Sequence, residues 1–241
     1  MSPAAPSAPA PTLPALPSSA MPRLVLLSDT HGFHERLRIP DGDVLVHAGD
    51  FCTSGKEAQA RAFARWLERQ PHAHKVVVAG NHDRCLELDL SLGQQLFQGA
   101  TYLLDREATI AGLRFYGSPW QPEFMSWAFN LPRGPRLREV WSHIPAGVDV
   151  LVTHGPPSGI LDRTFAGLFV GCEDLRAAVD RARPRLHLFG HIHEGAGTHT
   201  EGPTLFVNAS ICTEAYDPSN PILVVDVPHD GGPPTLVSPA S

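Results

Sequence analysis

Five short aliphatic runs in this chain each stop at residues of metal-binding type. Leu24–Leu27 is followed by Asp29-Thr30-His31-Gly32, Val44–Val46 by Gly49-Asp50, and Val76–Ala79 by Gly80-Asn81-His82-Asp83. Val150–Val152 leads into Thr153-His154-Gly155, and Leu186–Phe189 into Gly190-His191-Ile192-His193. Short apolar runs bounded by glycine and turn residues read as buried strands. In open α/β sheets ligands bind beyond the carboxyl ends of the strands. Five strand ends therefore deliver imidazole, carboxylate and amide oxygen to one edge. Within Asp29-x-His31 and His191-x-His193, the two-residue period puts both members of a pair on one side. The neighbouring glycines allow sharp turns where a Cβ would not fit. Of the 13 histidines in 241 residues, five sit at these ends.

Helical patterns separate the runs. Ser54-Gly55-Lys56-Glu57 has the form of a capping box ahead of a helix that buries Ala62, Phe63, Trp66 and Leu67. Leu175, Ala178, Val179 and Ala182 mark a second helix at i, i+3, i+4 and i+7. Leu113–Tyr116, Leu205–Val207 and Ile222–Val227 are further strands, later ones in a partly antiparallel sheet. Residues 119–138, rich in Trp, Phe and Pro, read as one long structured loop. Alternating strands and helices define an α/β class, and a single domain over residues 23–227 is the economical division. Residues 1–22, rich in Pro, Ala and Ser, are expected to be disordered, and 228–241 to be a flexible tail. The first segment lacks a basic n-region, and prolines break each apolar run, which argues against a secretory signal. Met21, just before the first strand, is an alternative start.

Composition excludes several classes. The formal charge of −6 argues against strong nucleic-acid binding. No apolar stretch reaches the ~20 residues of a membrane helix. Four cysteines without a CxxC pair make neither a disulfide framework nor a cysteine zinc site, so a reduced cytoplasm is expected.

Mixed nitrogen and oxygen donors without thiolate suit Mn, Fe or Zn. Asp29, His31, Asp50, Asn81, His154, His191 and His193 are too many for one tetrahedral ion and suit two ions sharing a carboxylate. Two ions ~3.5–4 Å apart are a standard apparatus for in-line attack on phosphorus. The ordered series Asp-x-His, Gly-Asp, Gly-Asn-His-Asp, Thr-His-Gly and Gly-His-x-His resembles the calcineurin-like metallophosphoesterase superfamily. Gly117-Ser118-Pro119-Trp120, Phe129-Asn130-Leu131-Pro132-Arg133-Gly134, Thr153-His154-Gly155-Pro156-Pro157 and Asn208-Ala209-Ser210 resemble its metallophosphoesterase-domain-containing subfamily, linked to class III cyclic-nucleotide phosphodiesterases. The likeness runs from Arg23 to Asp226.

That resemblance implies a four-layer αββα sandwich of two mixed sheets. It implies that Asp29, His31 and His193 hold one divalent metal, that Asn81, His154 and His191 hold the other, and that Asp50 bridges them. Manganese is the expected ion in vitro. His82 would sit beside the phosphate and protonate or stabilise the departing oxygen, with Asn81, His82 and His193 touching the substrate. The implied reaction is hydrolysis of a phosphodiester, such as a cyclic or related nucleotide, by a metal-bridging hydroxide. A phosphomonoesterase, a nucleotide pyrophosphatase and a low-activity nucleotide-binding scaffold are the alternatives. Some relatives carry glycine at the position of His191; this chain keeps the imidazole.

Other residues have two readings. Asp83 either orients His82 in catalysis or caps the following helix. His47 and His187 read as core or supporting groups rather than ligands. His34, His72, His74, His143, His199 and His229 read as surface residues. Trp120, Trp127 and Phe129 form a stacking wall for a base or pack the long loop. Arg133, Arg136 and Arg138 meet a phosphate or form a solvated stretch. Asn208-Ala209-Ser210 fits a glycosylation sequon but is better placed at a strand end near the site.

Overall fold

The computed structural model describes residues 21–237; the expected disorder of residues 1–20 concerns positions outside the described residues. In chain order the strands are β1 (Arg23–Leu27), β2 (Val44–His47), β3 (His74–Val77), β4 (Thr101–Tyr102), β5 (Arg106–Ile110), β6 (Leu113–Ser118) and β7 (Gln121–Pro122). They continue with β8 (Asn130–Leu131), β9 (Val150–Thr153), β10 (Leu186–Phe189), β11 (Gly197–Glu201), β12 (Thr204–Asn208), β13 (Leu223–Asp226) and β14 (Thr235–Leu236). The helices are α1 (Glu57–Glu68), α2 (Arg84–Leu88), α3 (Leu92–Leu96), α4 (Pro135–Ser142) and α5 (Glu173–Ala182).

Two six-stranded sheets stack face to face, ordered β14-β13-β1-β2-β3-β4 and β11-β12-β10-β9-β6-β5. Strands β1 to β4 run parallel in the first, and β12, β10, β9 and β6 in the second; β13, β14, β11 and β5 pair antiparallel at the margins. The two-residue period divides each strand between two apolar layers. Leu24, Leu26, Val44, Val46 and Val76 meet Phe115, Val150, Val152, Leu186, Leu188 and Val207 between the sheets. Their alternates Val25, Leu27, Leu45 and Val77 face Ala60, Phe63, Trp66 and Leu67 of α1 with Leu86 of α2. On the far side Tyr116, Leu151 and Phe189 pack on Leu137 and Trp141 of α4 and on Leu175, Ala178, Val179 and Ala182 of α5. The molecule is thus the four-layer αββα sandwich. Each fully buried aliphatic side chain contributes about 1.5–3 kcal/mol relative to exposure. No helix among the described residues is long and apolar enough to cross a membrane.

Departures from the sequence reading have local causes. Gln59, not Ser54, organises the start of α1: its side-chain oxygen accepts from the N–H groups of Ser54 and Lys56 at 3.0 and 3.3 Å. Strands β5 and β11 are largely exposed margins whose polar residues mask the strand signal. Helix α4 begins inside the expected loop, with Pro135 in its first turn and Leu137 and Trp141 buried at i, i+4. The start of the expected C-terminal tail instead adds a strand, because Thr235 and Leu236 pair with Asp226 and Val225. His34 and His72 are buried rather than surface residues. His34 packs on Phe63 and Trp66, and His72 donates to the Pro40 carbonyl at 3.0 Å.

His47 and His187 lie inside the sheets. Thr153 Oγ1 donates to the Gly155 carbonyl and accepts from His187 Nε2 at 2.9 Å, and His47 Nε2 donates to Thr30 Oγ1 at 3.0 Å. Burial pushes both imidazoles down from 6.5 to about 3. The unfolded chain therefore binds protons that the folded chain does not, so stability is full above pH 6.5 and lost as pH falls towards 3. Each histidine contributes a slope of about 1.4 kcal/mol per pH unit. Urea denaturation between pH 6.5 and 4.5 should show this slope, reduced by one histidine's share in His187→Gln; an unchanged slope would contradict the assignment.

Candidate metal centre

The candidate site forms where the carboxyl ends of both sheets meet. A parallel bridge between Ser28 and Ser210 joins the exit of β1 to the exit of β12. Ser28 N–H donates to the Ala209 carbonyl, and Ile211 N–H to the Ser28 carbonyl, each at 2.9 Å. The loops turn sharply here. Asp29, His31, Asp50 and His191 adopt left-handed backbone conformations, with φ of 52°, 40°, 59° and 69°. Such conformations are costly for non-glycine residues and persist only where the surroundings enforce them. The glycines are equally constrained: a Cβ on Gly190 would lie 2.0 Å from Asp29 Oδ2, and one on Gly80 2.3 Å from Asp50 Oδ1. Gly190→Ala should therefore displace the Asp29 carboxylate and lower stability by about 1–3 kcal/mol. Thermal denaturation checks this; an unchanged Tm would contradict the packing.

The seven residues singled out as donors converge. Asp29 Oδ1 lies 3.2 Å from His193 Nε2 and 3.9 Å from His31 Nε2. Asp29 Oδ2 accepts from His191 N–H and Ser210 Oγ, both at 2.9 Å. Asp50 Oδ2 faces His154 Nε2 at 3.4 Å and His31 Nε2 at 3.9 Å, while Oδ1 accepts from His82 N–H at 2.7 Å. Asn81 Oδ1 lies 2.8 Å from His154 Nε2. Three overlapping sets have donor atoms within 4.8 Å of one another: Asp29, His31 and His193; His31, Asp50 and His82; Asp50, His154 and His191.

The orientation of the rings bears on whether a cation fits. Nδ1 of His31, His82, His154 and His193 faces the carbonyl of Cys52, Thr53, Ala48 and Thr213 at 3.3, 2.8, 2.9 and 2.9 Å. A carbonyl only accepts, so each Nδ1 carries a proton, and it is Nε2 that faces the site and offers a lone pair whenever the ring is neutral. His31 Nε2 and His193 Nε2 are 3.3 Å apart. Two lone pairs at that separation repel, and a cation between them removes the conflict. The donor set, nitrogen and oxygen without thiolate, fits a first-row divalent ion.

Without a cation, protons take its place between the carboxylates and the rings. Burial opposes the charged form of His154, but the Asp50 carboxylate outweighs it and pushes the ring up to about 9. Burial likewise opposes His193, and its contact with Asp29 lifts it to about 9. Burial raises Asp29 and Asp50, yet the surrounding imidazoles hold both below the usual carboxylate range. His191, desolvated and beside His154, falls to about 3 and stays neutral.

Of the two readings of Asp83, the helix cap is not observed. Asp83 precedes α2 without a side-chain cap, and its buried oxygens accept from the N–H groups of Gly80, Asp50 and Cys52 at 2.8, 2.9 and 2.9 Å. Burial and the Asp50 charge raise its acid to about 8, against these donors. It braces the exits of β2 and β3. Asn208 and Ser210 are buried, with Ser210 on Asp29, as the strand-end reading expects. Phe129 is core, and Trp120 donates to Asp105 at 2.7 Å; Trp127 instead covers the His82 ring. Arg133 pairs with Glu173, Arg138 with Asp174, and Arg136 lines a groove beside Trp120. Sequence reasoning missed Tyr216, whose ring meets His31 and His193 at centroid distances of 4.8 and 5.4 Å. No periodic pattern surrounds it; only proximity in the fold identifies it.

Residues 22–195 match the calcineurin-like phosphoesterase family. The chain is 44% identical over 231 residues to human metallophosphoesterase domain-containing protein 1, covering 86% of this chain and 71% of that protein. The mouse protein of the same name matches with the same identity and coverage. The crystal structure of TT1561 of Thermus thermophilus shares the fold at 15% identity and a TM-score of 0.56, covering 90% of this chain and 99% of that one.

Proposed function

Because this chain belongs to the calcineurin-like phosphoesterase family, a family of metal-dependent phosphoester hydrolases, we propose that its substrates are phosphodiesters, cyclic or related nucleotides among them. Asp29, His31 and His193 would hold one divalent cation, and Asn81, His154 and His191 a second, with Mn, Fe or Zn suited to both. Asp50 would serve both sites. The observation that carries this reading is Asp50 Oδ2, which has His31 Nε2 and His154 Nε2, one from each set, within 3.9 Å.

When bound, two such cations supply an activated water and neutralise charge on the phosphoryl oxygens. The chain's own residues do the rest. The carbonyls of Cys52, Ala48 and Thr213 fix the tautomers of His31, His154 and His193, so that each Nε2 remains a donor to metal. Ser210 and the His191 N–H hold Asp29 Oδ2, leaving Oδ1 directed to the site. His82, with Nδ1–H on Thr53, keeps Nε2 on the side of His31 and Asp50. As the imidazolium, protonated on both nitrogens, it would give the Nε2 proton to the departing oxygen and be left neutral with Nδ1–H still on Thr53. Asn81, His82 and His193 are the proposed substrate contacts. A cavity of about 310 Å³ opens beside His191 between Pro122, Phe124, Pro156, Val170 and Ile192, with Glu123 and Glu194 as acceptors. That space, part apolar and part polar with Arg133 also on its wall, supports an ester carrying an organic group. Four buried free thiols support a reducing, cytoplasmic setting.

The test compares bis(p-nitrophenyl) phosphate with p-nitrophenyl phosphate, using chelator-stripped protein restored with Mn²⁺. Turnover that needs metal and favours the diester is expected, followed by activity on 2′,3′- or 3′,5′-cyclic nucleotides. Preference for the monoester would support a phosphomonoesterase, and no turnover with two ions bound a nucleotide-binding scaffold. His82→Ala should keep two metal ions per chain and lower kcat by roughly 10²–10⁴-fold; an unchanged kcat would remove it from the chemistry. Asp50→Ala should bind fewer than two ions by elemental analysis, and two tightly held ions in that variant would contradict the shared carboxylate.

A further inference from the structure

The long loop after β7 is tied to the β3 exit and to α2 at three points. The Arg84 guanidinium donates to the Ser126 carbonyl at 3.4 Å, Ala128 N–H to the Asn81 carbonyl at 3.1 Å, and Phe129 N–H to Glu87 Oε1 at 2.7 Å. Trp127 is the residue held between these ties. Its half-buried indole lies over the His82 ring, with centroids 4.0 Å apart and 30° between the planes. Besides this the ring of His82 has one hydrogen bond, Nδ1–H to the Thr53 carbonyl at 2.8 Å, and edge contacts with His31 at 4.7 Å and, more distantly, Tyr216 at 6.4 Å. An imidazole anchored through one nitrogen can still tilt about that bond, swinging the opposite nitrogen through an arc. A rigid aromatic face against the ring removes this freedom. Phe124 and Met125, earlier on the same loop, are exposed, so the ordered indole contact is local to the segment tied to Asn81.

We infer that Trp127 is a positioning residue for His82, its indole face fixing the ring plane that directs Nε2 at the leaving oxygen. This rests on the reading of His82 as the proton donor. The indole face turned to His82 is thereby closed to substrate stacking.

The test uses the full-length, metal-loaded protein and two diesters that differ only in leaving group, methyl p-nitrophenyl phosphate and methyl phenyl phosphate. A proton donor matters most for the poorer leaving group. His82→Ala should therefore lower kcat on the phenyl ester by roughly 10²-fold or more, and on the nitrophenyl ester much less. Trp127→Leu should repeat that asymmetry, with a loss of roughly 10- to 100-fold on the phenyl ester and KM within about twofold. Trp127→Phe, which keeps a ring face, should restore most of the rate. In the His82→Ala background, Trp127→Leu should cost nothing further. Equal losses on both esters, additive losses in the double variant, or a raised KM with kcat intact would overturn the inference, the last making Trp127 a substrate wall. If His82→Ala shows no leaving-group dependence, the proton-donor reading fails and the Trp127 inference with it. If His82→Ala shows it and Trp127→Leu does not, only the Trp127 inference fails. Metal content and melting curves accompany each variant; should Trp127→Leu not fold, Trp127→Met replaces it.

Discussion

Asp29 and Asp50 are 0% and 2% exposed, and neither has a lysine or arginine among its side-chain contacts here. Burying a carboxylate costs several kcal/mol unless charge or hydrogen bonds compensate it. In this structure the compensation comes from the imidazoles of His31, His154 and His193 and from N–H and O–H donors on neighbouring loops. Two of these imidazoles, His31 and His193, bring their Nε2 atoms within 3.3 Å of each other, a conflict of lone pairs when both rings are neutral. Positive charge at the centre resolves both problems together. Protons supply it in part, as the raised His154 and His193 indicate; divalent cations would supply more of it, in a geometry the carboxylates already frame.

The fold is arranged around that requirement. Parallel strands from two sheets send their carboxyl ends to one edge, so loops far apart in sequence share a small volume. Asp29 and His193, 164 positions apart, touch through Oδ1 and Nε2. Four residues of the centre take left-handed backbone conformations, and Gly80 and Gly190 leave no room for a methyl group. Such strain is held in place by the three apolar layers. Asp83 is the hinge between the two demands, since its buried carboxylate ties the β2 exit to the β3 exit through three N–H groups.

The convergence of Asp29, His31, Asp50, Asn81, His154, His191 and His193 was legible because strand ends carry ligands and the aliphatic runs mark the strands. The two apolar faces followed from the same runs. What the sequence concealed is what depends on the third dimension. Strands β5 and β11 are exposed, so they lack the alternation that reveals a half-buried strand. Asp83 sits in a helix-start pattern, and only the folded loops show that backbone amides claim its oxygens. Trp127 and Tyr216 belong to stretches without periodicity, and their nearness to His82 and His31 comes from loop closure. His34 and His72 look like surface histidines in a polar context, yet the packing of Phe63, Trp66 and the Pro40 carbonyl encloses them.

The central claim is that one carboxylate, Asp50, joins two cation sites built from both sheets. The most direct measurement is a crystal structure of the Mn²⁺-reloaded protein with anomalous scattering collected for manganese. The account predicts two anomalous peaks about 3.5–4 Å apart, with Asp50 coordinating both. Asp29, His31 and His193 would surround one peak, and Asn81, His154 and His191 the other. A single peak, or two peaks with Asp50 bound to only one of them, would contradict it.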